Sequence, residues 1–403
     1  MPSDIPTHMA AAVLAKGQPL ELQTHPTPKP GPGELLVLVK SVAINPADGL
    51  MRDHGLFMPK LPTVIGFDVA GLVLEVGDGV PTDRANDRDA SGLFFKPGVT
   101  RVAAYSAGYW HSCAPDYGVF QERCLIPWQH AVPLPDSINV SWSHAATLPV
   151  AAVVALNAWS AMGFRVPSSS SVSVTSSSTN RAALGEGEAQ KGGKTKREAL
   201  LIWGASSSVG TMGVQAARLI REDQDSPIAA VYATSGPANQ AYVSSLGADR
   251  VFDYKDPGVV DAIVSAARED GLVIRHCFLA MGQLALCQRV LKSFLGDDEN
   301  GGEGGVEKGK RAMIGSAPPF PPDAEIVEGM EAIFLQPSTE EGERLEQFRC
   351  WMGTWLRECL VEGSVRPSPE PRVVGKGLGA INAGLDMVLQ GVSCAKLVVE
   401  IGE

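Results

Sequence analysis

The strongest chemical signal in the sequence is a glycine-rich turn, Gly204-Ala-Ser-Ser-Ser-Val-Gly210, which directly follows the apolar run Ala199–Trp203. A turn that joins a buried strand to a helix offers unpaired N–H groups and the positive end of the helix dipole to a pyrophosphate. Gly204 permits a tight turn, and Gly210 lets the helix pack closely on the sheet. The alternative is an ordinary strand-to-helix turn. The context predicts a dinucleotide site with contacts from all seven residues: Gly204, Ala205, Ser206, Ser207, Ser208, Val209 and Gly210.

The residues after the next strand indicate which dinucleotide would bind. An NAD site usually places Asp or Glu there to bond the ribose 2′-hydroxyl, but no carboxylate lies between Ile228 and Tyr242. Thr234, Ser235, Asn239 and Tyr242 are donors that could hold a 2′-phosphate, so NADPH is the predicted cofactor. The same stretch contains no Arg or Lys, and capping of a turn or helix is the alternative role for these side chains.

An alternation of strands and helices must position this turn. Helical spacing places Val209, Gly213 and Ala217 on one face, and Asn239–Leu246 predicts a second helix. Strands are expected at 199–203, 228–233, 251–252, 277–279 and 312–314. This order predicts a doubly wound parallel sheet with ligands at the carboxyl ends of its strands. By that rule, four residues that follow later strands should border the nicotinamide: Met281, Gly282, Gly315 and Ser316.

The first 160 residues show a different pattern of predicted secondary structure. Strand-like runs such as Glu34–Lys40 and Ala70–Val76 alternate with Pro and Gly, which predicts a barrel-like or twisted antiparallel domain. Three polar stretches, 81–92, 167–197 and 296–310, are too poor in apolar residues to fold on their own, so we expect mobile surface segments. The second is either a linker or an insertion.

Composition restricts the partners and the compartment. The 403 residues suggest two or three domains, and the net charge of −11 argues against nucleic acid and anionic membranes as main partners. No apolar run reaches the roughly 18 residues needed to span a bilayer. The first residues lack the features of a secretory signal. Seven dispersed cysteines without a Cys-x-x-Cys pair predict reduced thiols and a cytoplasmic location.

An ordered series of landmarks resembles the medium-chain dehydrogenase/reductase superfamily over nearly the whole chain. Besides the glycine turn, the landmarks are Asn45-Pro-Ala-Asp48, Gly66-Phe-Asp-Val-Ala-Gly71, Ala145-Ala-Thr-Leu-Pro149, Leu246-Gly-Ala-Asp249 and Lys396-Leu-Val398. The sequence is most similar to the zinc-free branch, which contains quinone oxidoreductases and fungal trans-acting enoyl reductases. The resemblance implies a doubly wound Rossmann domain together with a β-rich, GroES-like substrate-side domain.

The resemblance also implies that the chain does not use zinc. Zinc-dependent members ligate a catalytic zinc with a Cys, a Gly-His-Glu segment and a later Cys or Asp. Here the first position is Asn45, and the second reads Gly66-Phe67-Asp68. Phe67 cannot be a ligand, and a catalytic zinc needs three protein ligands. We therefore predict no metal.

The activity implied by the zinc-free branch is NADPH-dependent reduction of quinones, enones or enoyl thioesters. Hydride adds to the carbon β to a carbonyl, and hydrogen-bond donors stabilise the enolate oxygen. In relatives a polar side chain at the position of Asn45 lies near the nicotinamide, and the segment with Thr147 and Val150 flanks it. Tyr105 is a candidate proton donor in an aromatic stretch. Turn stabilisation, a plain helix and core packing are the respective alternatives.

These inferences predict a two-domain organisation. Residues 1–160 with 345–403 would form the substrate-side domain, and 199–344 the Rossmann domain, with NADPH and substrate held in the cleft between them. The preferred hypothesis is an ene- or quinone-type reductase, which includes an enoyl reductase acting on a carrier-bound substrate of a fungal polyketide synthase. A zinc-free carbonyl reductase or alcohol dehydrogenase and a cofactor-binding protein with little catalysis are the alternatives. Both a monomer and a homodimer are compatible with the resemblance.

Overall fold

A computed structural model describes residues 6–82, 93–135, 137–167, 197–296 and 311–402. Most of the polar stretches 81–92, 167–197 and 296–310 lies outside these described residues, so their mobility stays a prediction. The chain divides into two compact units, Met1–Val153 with Ser338–Glu403 and Val154–Pro337. The sequence predicts boundaries at 160, 199 and 345, whereas the structure divides the chain after Val153 and after Pro337.

The first unit is built mainly from antiparallel strands. A three-stranded sheet has the order β2-β1-β4, and a seven-stranded sheet has the order β15-β16-β3-β5-β6-β8, with β7 also paired to β3. The strands are β1 (Thr7–Val13), β2 (Glu21–Pro26), β3 (Glu34–Ala43), β4 (Thr63–Val64), β5 (Asp68–Val76), β6 (Arg101–Tyr105), β7 (Arg123–Pro127), β8 (Ala131–Leu134), β15 (Pro371–Lys376) and β16 (Lys396–Glu400).

The register around β3 brings distant parts of the sequence together. The strand ELLVLVKSVA is rich in β-branched and other apolar residues, as a central buried strand requires. Its last residue, Ala43, pairs with Asp68, the first residue of β5, on one side and with Val398 of β16 on the other. Residues just beyond Ala43, at the start of β5 and at the start of β16 are therefore neighbours.

The first unit also contains helices. They are α1 (Pro46–His54), α2 (Trp142–Ala145), the start of α3 (Pro149–Ala161), α8 (Glu341–Phe348), α9 (Arg357–Glu362) and α10 (Ile381–Leu389). A π-helical segment, Arg349–Leu356, joins α8 to α9, and short 3₁₀ turns occur at Pro115–Tyr117, Trp128–His130 and Leu378–Ala380. Helix α1 starts with Pro46 and ends at Gly55, which has the left-handed φ of 70° that favours glycine at a helix C-terminus.

One apolar helical stretch passes a length and composition test for a membrane span. Among the described residues, Trp142–Ala161 has a mean hydropathy of 1.2 in its most apolar window, and 72% of that window is buried inside the fold. Burial against protein accounts for its apolar composition, as in a core helix.

The second unit contains one six-stranded sheet with the order β11-β10-β9-β12-β13-β14, and every pairing in it is parallel. Its strands are β9 (Glu198–Trp203), β10 (Ile228–Ser235), β11 (Arg250–Asp253), β12 (Val273–Leu279), β13 (Ala312–Ser316) and β14 (Met330–Phe334). Its helices are α4 (Ser208–Glu222), α5 (Gln240–Ser245), α6 (Val259–Glu269) and α7 (Leu284–Lys292), with a 3₁₀ turn at Pro237–Asn239.

The strand order confirms the predicted doubly wound sheet. The chain starts in β9, moves outward through β10 and β11, and then returns to place β12 on the other side of β9. The strand order therefore reverses between β9 and β12, and ligands of such sheets bind at the carboxyl ends of the strands at this point. Trp203 and Leu279, the last residues of these two strands, pair in register.

Candidate functional site

The glycine turn lies at the point where the strand order reverses. Gly204 follows β9 with a φ of 79°, and a Cβ atom on it would lie 2.5 Å from the carbonyl oxygen of Met281. A Cβ atom on Gly210 would lie 2.4 Å from the carbonyl oxygen of Gly204. Ser207 is the N-cap of helix α4, and its Oγ accepts a hydrogen bond of 3.1 Å from the Gly210 N–H. The turn therefore leaves no room for side chains at Gly204 and Gly210 and places a helix N-terminus at the switch point, as a pyrophosphate site requires.

The five other turn residues follow one another around this N-terminus. Ala205 is buried, and its N–H donates to the carbonyl of Thr234 at 2.8 Å. Ser206, Ser207, Ser208 and Val209 are half-buried. The Ser208 hydroxyl is buried without a hydrogen-bond partner in the described part of the chain. The structure thus brings the seven predicted cofactor contacts together in one continuous segment.

The predicted 2′-phosphate donors have different environments. Thr234 and Ser235 are fully buried at the end of β10. The Thr234 Oγ1 accepts from the Gly204 N–H at 2.9 Å, and the Ser235 hydroxyl donates to the carbonyl of Gly236 at 3.2 Å. Thr234 thus supports the glycine turn directly, whereas Asn239 and Tyr242 are half-buried in and after the 3₁₀ turn that follows β10.

Sequence reasoning missed two side chains near the end of β10. Thr234 and Ser235 pair with Phe252 and Asp253 of β11, so the residues after β11 lie beside those after β10. A Cβ atom on Gly236 would be in van der Waals contact with the ring of Tyr254 at 3.8 Å. Lys255 follows, with its Nζ 5.9 Å from the centre of that ring. The strand-end rule, applied to β11 as it was to β12 and β13, would have identified both.

The residues after β12 and β13 also lie at the carboxyl edge of the sheet. Met281 is 51% exposed, and its N–H donates to the carbonyl of Trp203 at 3.2 Å. Gly282 is exposed beside the Trp203 ring. Gly315 and Ser316 are buried, and the Ser316 hydroxyl donates to the carbonyl of Pro318 at 2.7 Å. Only the first two of these four predicted contacts present exposed surface.

The first unit contains a buried polar cluster, defined here as Asn45, Asp48, Asp68 and Lys396. The Lys396 ammonium lies 2.9 Å from Asp68 Oδ2 and donates to Asn45 Oδ1 at 2.5 Å. The Asn45 Nδ2 donates to Asp68 Oδ2 at 3.0 Å, and Asp68 Oδ1 accepts from the Val150 N–H at 2.7 Å. The β3 register assembles this cluster from the ends of three strands. Only Asn45 was predicted as a site residue, because one charged residue at a strand end carries no signal in the sequence.

Asp48 adds a titratable group to the cluster. Its Oδ2 accepts from the Asn45 N–H at 2.7 Å, whereas its Oδ1 is buried and has no partner among the described residues. Burial, together with the charge of Asp68, raises the pKa of Asp48 to about 7, although the N–H of Asn45 and the Lys396 charge oppose this shift. The cluster therefore gains and loses a proton near neutral pH.

The other two predicted catalytic residues differ in their relation to this cluster. Burial and the charges of Asp68 and Asp48 raise the pKa of Tyr105, so its hydroxyl stays protonated, and its ring contacts Phe67 and Phe348. Thr147 is fully buried, and its hydroxyl donates to the carbonyl of His144 at 2.8 Å. The Thr147 hydroxyl therefore uses its only hydrogen in a bond to the backbone. The Tyr105 hydroxyl instead keeps its proton under the influence of the Asp68 and Asp48 charges.

The cluster does not have the ligands of a catalytic zinc. Phe67 offers no lone pair, Asn45 Oδ1 and Asp68 Oδ2 already face the Lys396 ammonium group, and Asp68 Oδ1 accepts from the Val150 N–H. Within the described ranges, no group of three or more His, Cys, Asp or Glu side chains is arranged to hold a metal ion. The residues present do not fit the three-ligand set of the zinc-dependent enzymes.

Known proteins match the chain along almost its entire length. The model of the alcohol dehydrogenase GroES-like domain matches residues 31–136. The trans-enoyl reductase tndF of Aspergillus flavipes is 34% identical over 399 residues, which cover 98% of this chain and 99% of that protein.

Solved structures show the same fold. An alcohol dehydrogenase superfamily protein from Novosphingobium aromaticivorans aligns with a TM-score of 0.68 at 18% identity, covering 98% of this chain and 100% of that one. Mycobacterial Rv1454c, solved in complex with NADPH, aligns with a TM-score of 0.60 at 20% identity, covering 98% and 99%. These matches confirm the resemblance noted in the sequence. The chain is an oxidoreductase that belongs to the medium-chain dehydrogenase/reductase superfamily, in the branch that contains the fungal trans-enoyl reductases.

Proposed function

We propose that this chain is an NADPH-dependent, zinc-independent reductase that delivers hydride to the activated C=C bond of an enone or enoyl thioester, or to a quinone. The observation that carries this proposal is the Lys396 ammonium inside the cluster of Asn45 and Asp68. A fixed positive charge among these oxygens opposes the binding of a metal cation there. Chemistry at this cluster therefore depends on hydrogen-bond donors and not on a Lewis acid.

The proposed cofactor contacts are in the second unit. The glycine turn would receive the pyrophosphate through the backbone N–H groups at the N-terminus of helix α4. No side chain fits at Gly204 or Gly210, because a Cβ atom there would collide with neighbouring backbone. Lys255 supplies the positive charge that is missing between Ile228 and Tyr242, and Tyr254 presents a 44% exposed ring next to Gly236. A cation beside the end of β10 favours a 2′-phosphate over a free 2′-hydroxyl. When bound, the reduced nicotinamide supplies the hydride.

The proposed chemical contribution of the first unit is electrostatic. Hydride addition to the β carbon sends negative charge to the carbonyl oxygen, and a preorganised N–H donor lowers the energy of that state. The Asn45 Nδ2 has two hydrogens, and Asp68 accepts one of them. The second is the proposed donor to the substrate oxygen. Tyr105, which stays protonated, is the proposed source of the proton that the α carbon needs.

The proposed substrate class follows the relatives. The Aspergillus flavipes protein is named a trans-enoyl reductase, which supports an enoyl thioester, free or bound to the carrier of a polyketide synthase partner. The seven cysteines are dispersed along the chain and form no Cys-x-x-Cys motif, as expected in a reducing compartment, and the proposed location is the cytoplasm.

The test measures the oxidation of NADPH, monitored by its absorbance, with each of a panel of acceptors. We expect oxidation with at least one of a simple enone, phenanthrenequinone and a crotonyl thioester, and slower reaction with a saturated ketone or with NADH. Turnover on the ketone alone would favour a carbonyl reductase. Tight NADPH binding without turnover on any acceptor would favour a non-catalytic cofactor-binding protein.

The cofactor proposal has its own control. The Lys255→Ala variant should weaken NADPH binding about tenfold, the loss of roughly one charge-assisted contact, and leave NADH binding unchanged. Lys292→Ala, on the exposed end of α7, is the matched control and should change neither. Equal weakening for both dinucleotides would remove Lys255 from the 2′-phosphate site.

A further inference from the structure

We propose that Lys396 is a positioning residue: it fixes the orientation of the Asn45 carboxamide so that one Nδ2 hydrogen stays available to the substrate oxygen. This inference rests on the proposed function, because that function makes Asn45 the donor. It concerns a residue at the opposite end of the chain, 351 positions away in sequence. Its evidence is the hydrogen-bond pattern of the buried polar cluster.

The carboxamide of an asparagine can flip by about 180°, which exchanges its oxygen and nitrogen at almost no steric cost. Here both ends are specified. An ammonium group only donates, so Lys396 requires an acceptor, and Asn45 Oδ1 faces it at 2.5 Å. An ionised carboxylate only accepts, so Asp68 requires a donor, and Asn45 Nδ2 faces it at 3.0 Å. The reversed amide would place N–H against ammonium and oxygen against carboxylate.

The same pairing leaves one hydrogen of Asn45 unused. Asp68 Oδ2 accepts one Nδ2 hydrogen, and no acceptor for the other is present among the described residues. Asn45 is only 6% exposed, so this donor is held in surroundings where a hydrogen bond to developing charge is stronger than in water. A fixed orientation is what makes it useful, because a donor that must reorient during the reaction stabilises the charge less.

Lys396 also supports Asp68 in its second task. The carboxylate has no exposure, and its Oδ1 holds the Val150 N–H in the first turn of α3. Without the ammonium group, the carboxylate would be buried without a counter-charge, which is strongly unfavourable. Lys396 therefore supports Asn45 in two ways, by direct donation and by keeping Asp68 an acceptor.

A double-mutant cycle tests this role. Lys396→Met should lower kcat for the preferred acceptor about 100-fold, the scale expected for a misplaced catalytic group, and leave NADPH binding unchanged. Asn45→Ala should lower kcat by a similar factor. Combining the two should cause no further loss, because Lys396 acts through Asn45. Lys396→Arg, which keeps the charge and the donors, should retain more turnover than Lys396→Met.

Matched variants separate positioning from structural support. Lys376→Met makes the same change on the adjacent strand β15, where the side chain is 83% exposed, and should leave kcat unchanged. The double variant Asp68→Asn/Lys396→Met removes the ammonium together with the carboxylate that it faces, so it should unfold near the wild-type temperature while its kcat stays low. This pair also keeps the test open if Lys396→Met alone does not fold.

Three results would overturn the inference. The first is a wild-type kcat in folded Lys396→Met, and the second is losses of kcat that multiply when Lys396→Met is combined with Asn45→Ala. The third is kcat that returns together with stability when Lys396→Met is combined with Asp68→Asn. A wild-type protein that reduces none of the enone, quinone and thioester acceptors would instead contradict the proposed function. The two failures are therefore distinguishable.

Discussion

The two candidate regions of this protein are built in opposite ways. The glycine turn of the second unit is seven consecutive residues whose useful groups are backbone N–H donors, and its requirement is the absence of side chains at Gly204 and Gly210. The polar cluster of the first unit is assembled from residues 45, 48, 68 and 396, and its useful groups are charged or polar side chains. The turn depends on steric fit, whereas the cluster depends on charge pairing.

This difference determines how each region should respond to mutation. A backbone site is damaged by added volume and is insensitive to pH, because no group in it titrates. A charge-paired site is damaged when one partner is removed, since the remaining charge stays buried without compensation.

Removing one partner of the buried pair should have the largest effect on stability. Asp68→Ala leaves the Lys396 ammonium, which is 4% exposed, without its counter-charge and should lower the free energy of unfolding by about 3–5 kcal/mol. The control is Asp386→Ala, which breaks a 2.7 Å ion pair between Arg52 and an aspartate that is 58% exposed and should cost less than about 1 kcal/mol. Equal costs in urea unfolding would show that burial does not govern these pairs.

Added volume in the turn should have the next largest effect. Gly204→Ala requires a Cβ atom 2.5 Å from the Met281 carbonyl oxygen in a left-handed conformation. It should cost about 3 kcal/mol of unfolding free energy and weaken NADPH binding. Gly163 has a similar φ of 83°, and no atom of the described residues lies within 4 Å of its Cβ position, so Gly163→Ala should cost only about 1 kcal/mol. Similar costs for both would mean that backbone conformation matters here and close approach does not.

The pH dependence of stability should separate the two regions at a smaller scale. Burial raises the pKa of Asp48 from 3.8 to about 7 in the folded chain, so the folded state binds a proton that the unfolded state has released. Stability contributed by this group is therefore present at low pH and is lost as the pH rises from about 4 to 7. Asp48→Asn keeps an acceptor for the Asn45 N–H but cannot ionise. The free energy of unfolding of this variant should therefore rise by about 2 kcal/mol relative to that of wild type between pH 5 and pH 8.

Denaturation curves of both proteins at the two pH values measure this difference, and a Gly163→Ala control should show the same pH dependence as wild type. A stability difference between Asp48→Asn and wild type that does not change with pH would contradict the assignment of this titration to Asp48.

The smallest expected effect is the loss of the helix cap in the turn. Ser207 Oγ accepts the Gly210 N–H at 3.1 Å, and Ser207→Ala should lower the free energy of unfolding by about 1 kcal/mol at every pH. Thermal unfolding across a pH series measures this. A cost that varies with pH would mean that the turn is coupled to a titrating group, contrary to its description as a backbone site.

The same contrast explains what could be predicted from the sequence. The turn, the strand before it and helix α4 are continuous in sequence, so their pattern identified them within a residue or two of Glu198–Trp203 and Ser208–Glu222. The edge strand Met330–Phe334 was missed, because its sequence MEAIF is short and does not alternate apolar with polar residues. No helix was predicted over 341–362, so the π-helical segment Arg349–Leu356 was missed together with the two helices that flank it.

The polar cluster could not be predicted for a related reason. Asp48, Asp68 and Lys396 were not predicted as site residues, because each is an isolated charged residue in the sequence. Only the pairing of Ala43 with Asp68 and with Val398 shows that these groups meet. Tertiary register, which the local pattern does not contain, decides that geometry.

We propose that this chain reduces activated alkenes or quinones with NADPH and without a metal. The most direct test is the rate of NADPH oxidation with the best acceptor of the panel, measured before and after exhaustive treatment with a zinc chelator. We predict the same rate in both samples, because Lys396 occupies the polar cluster with Asn45 and Asp68. Loss of turnover on chelation, restored by added zinc, would show that the enzyme depends on a metal.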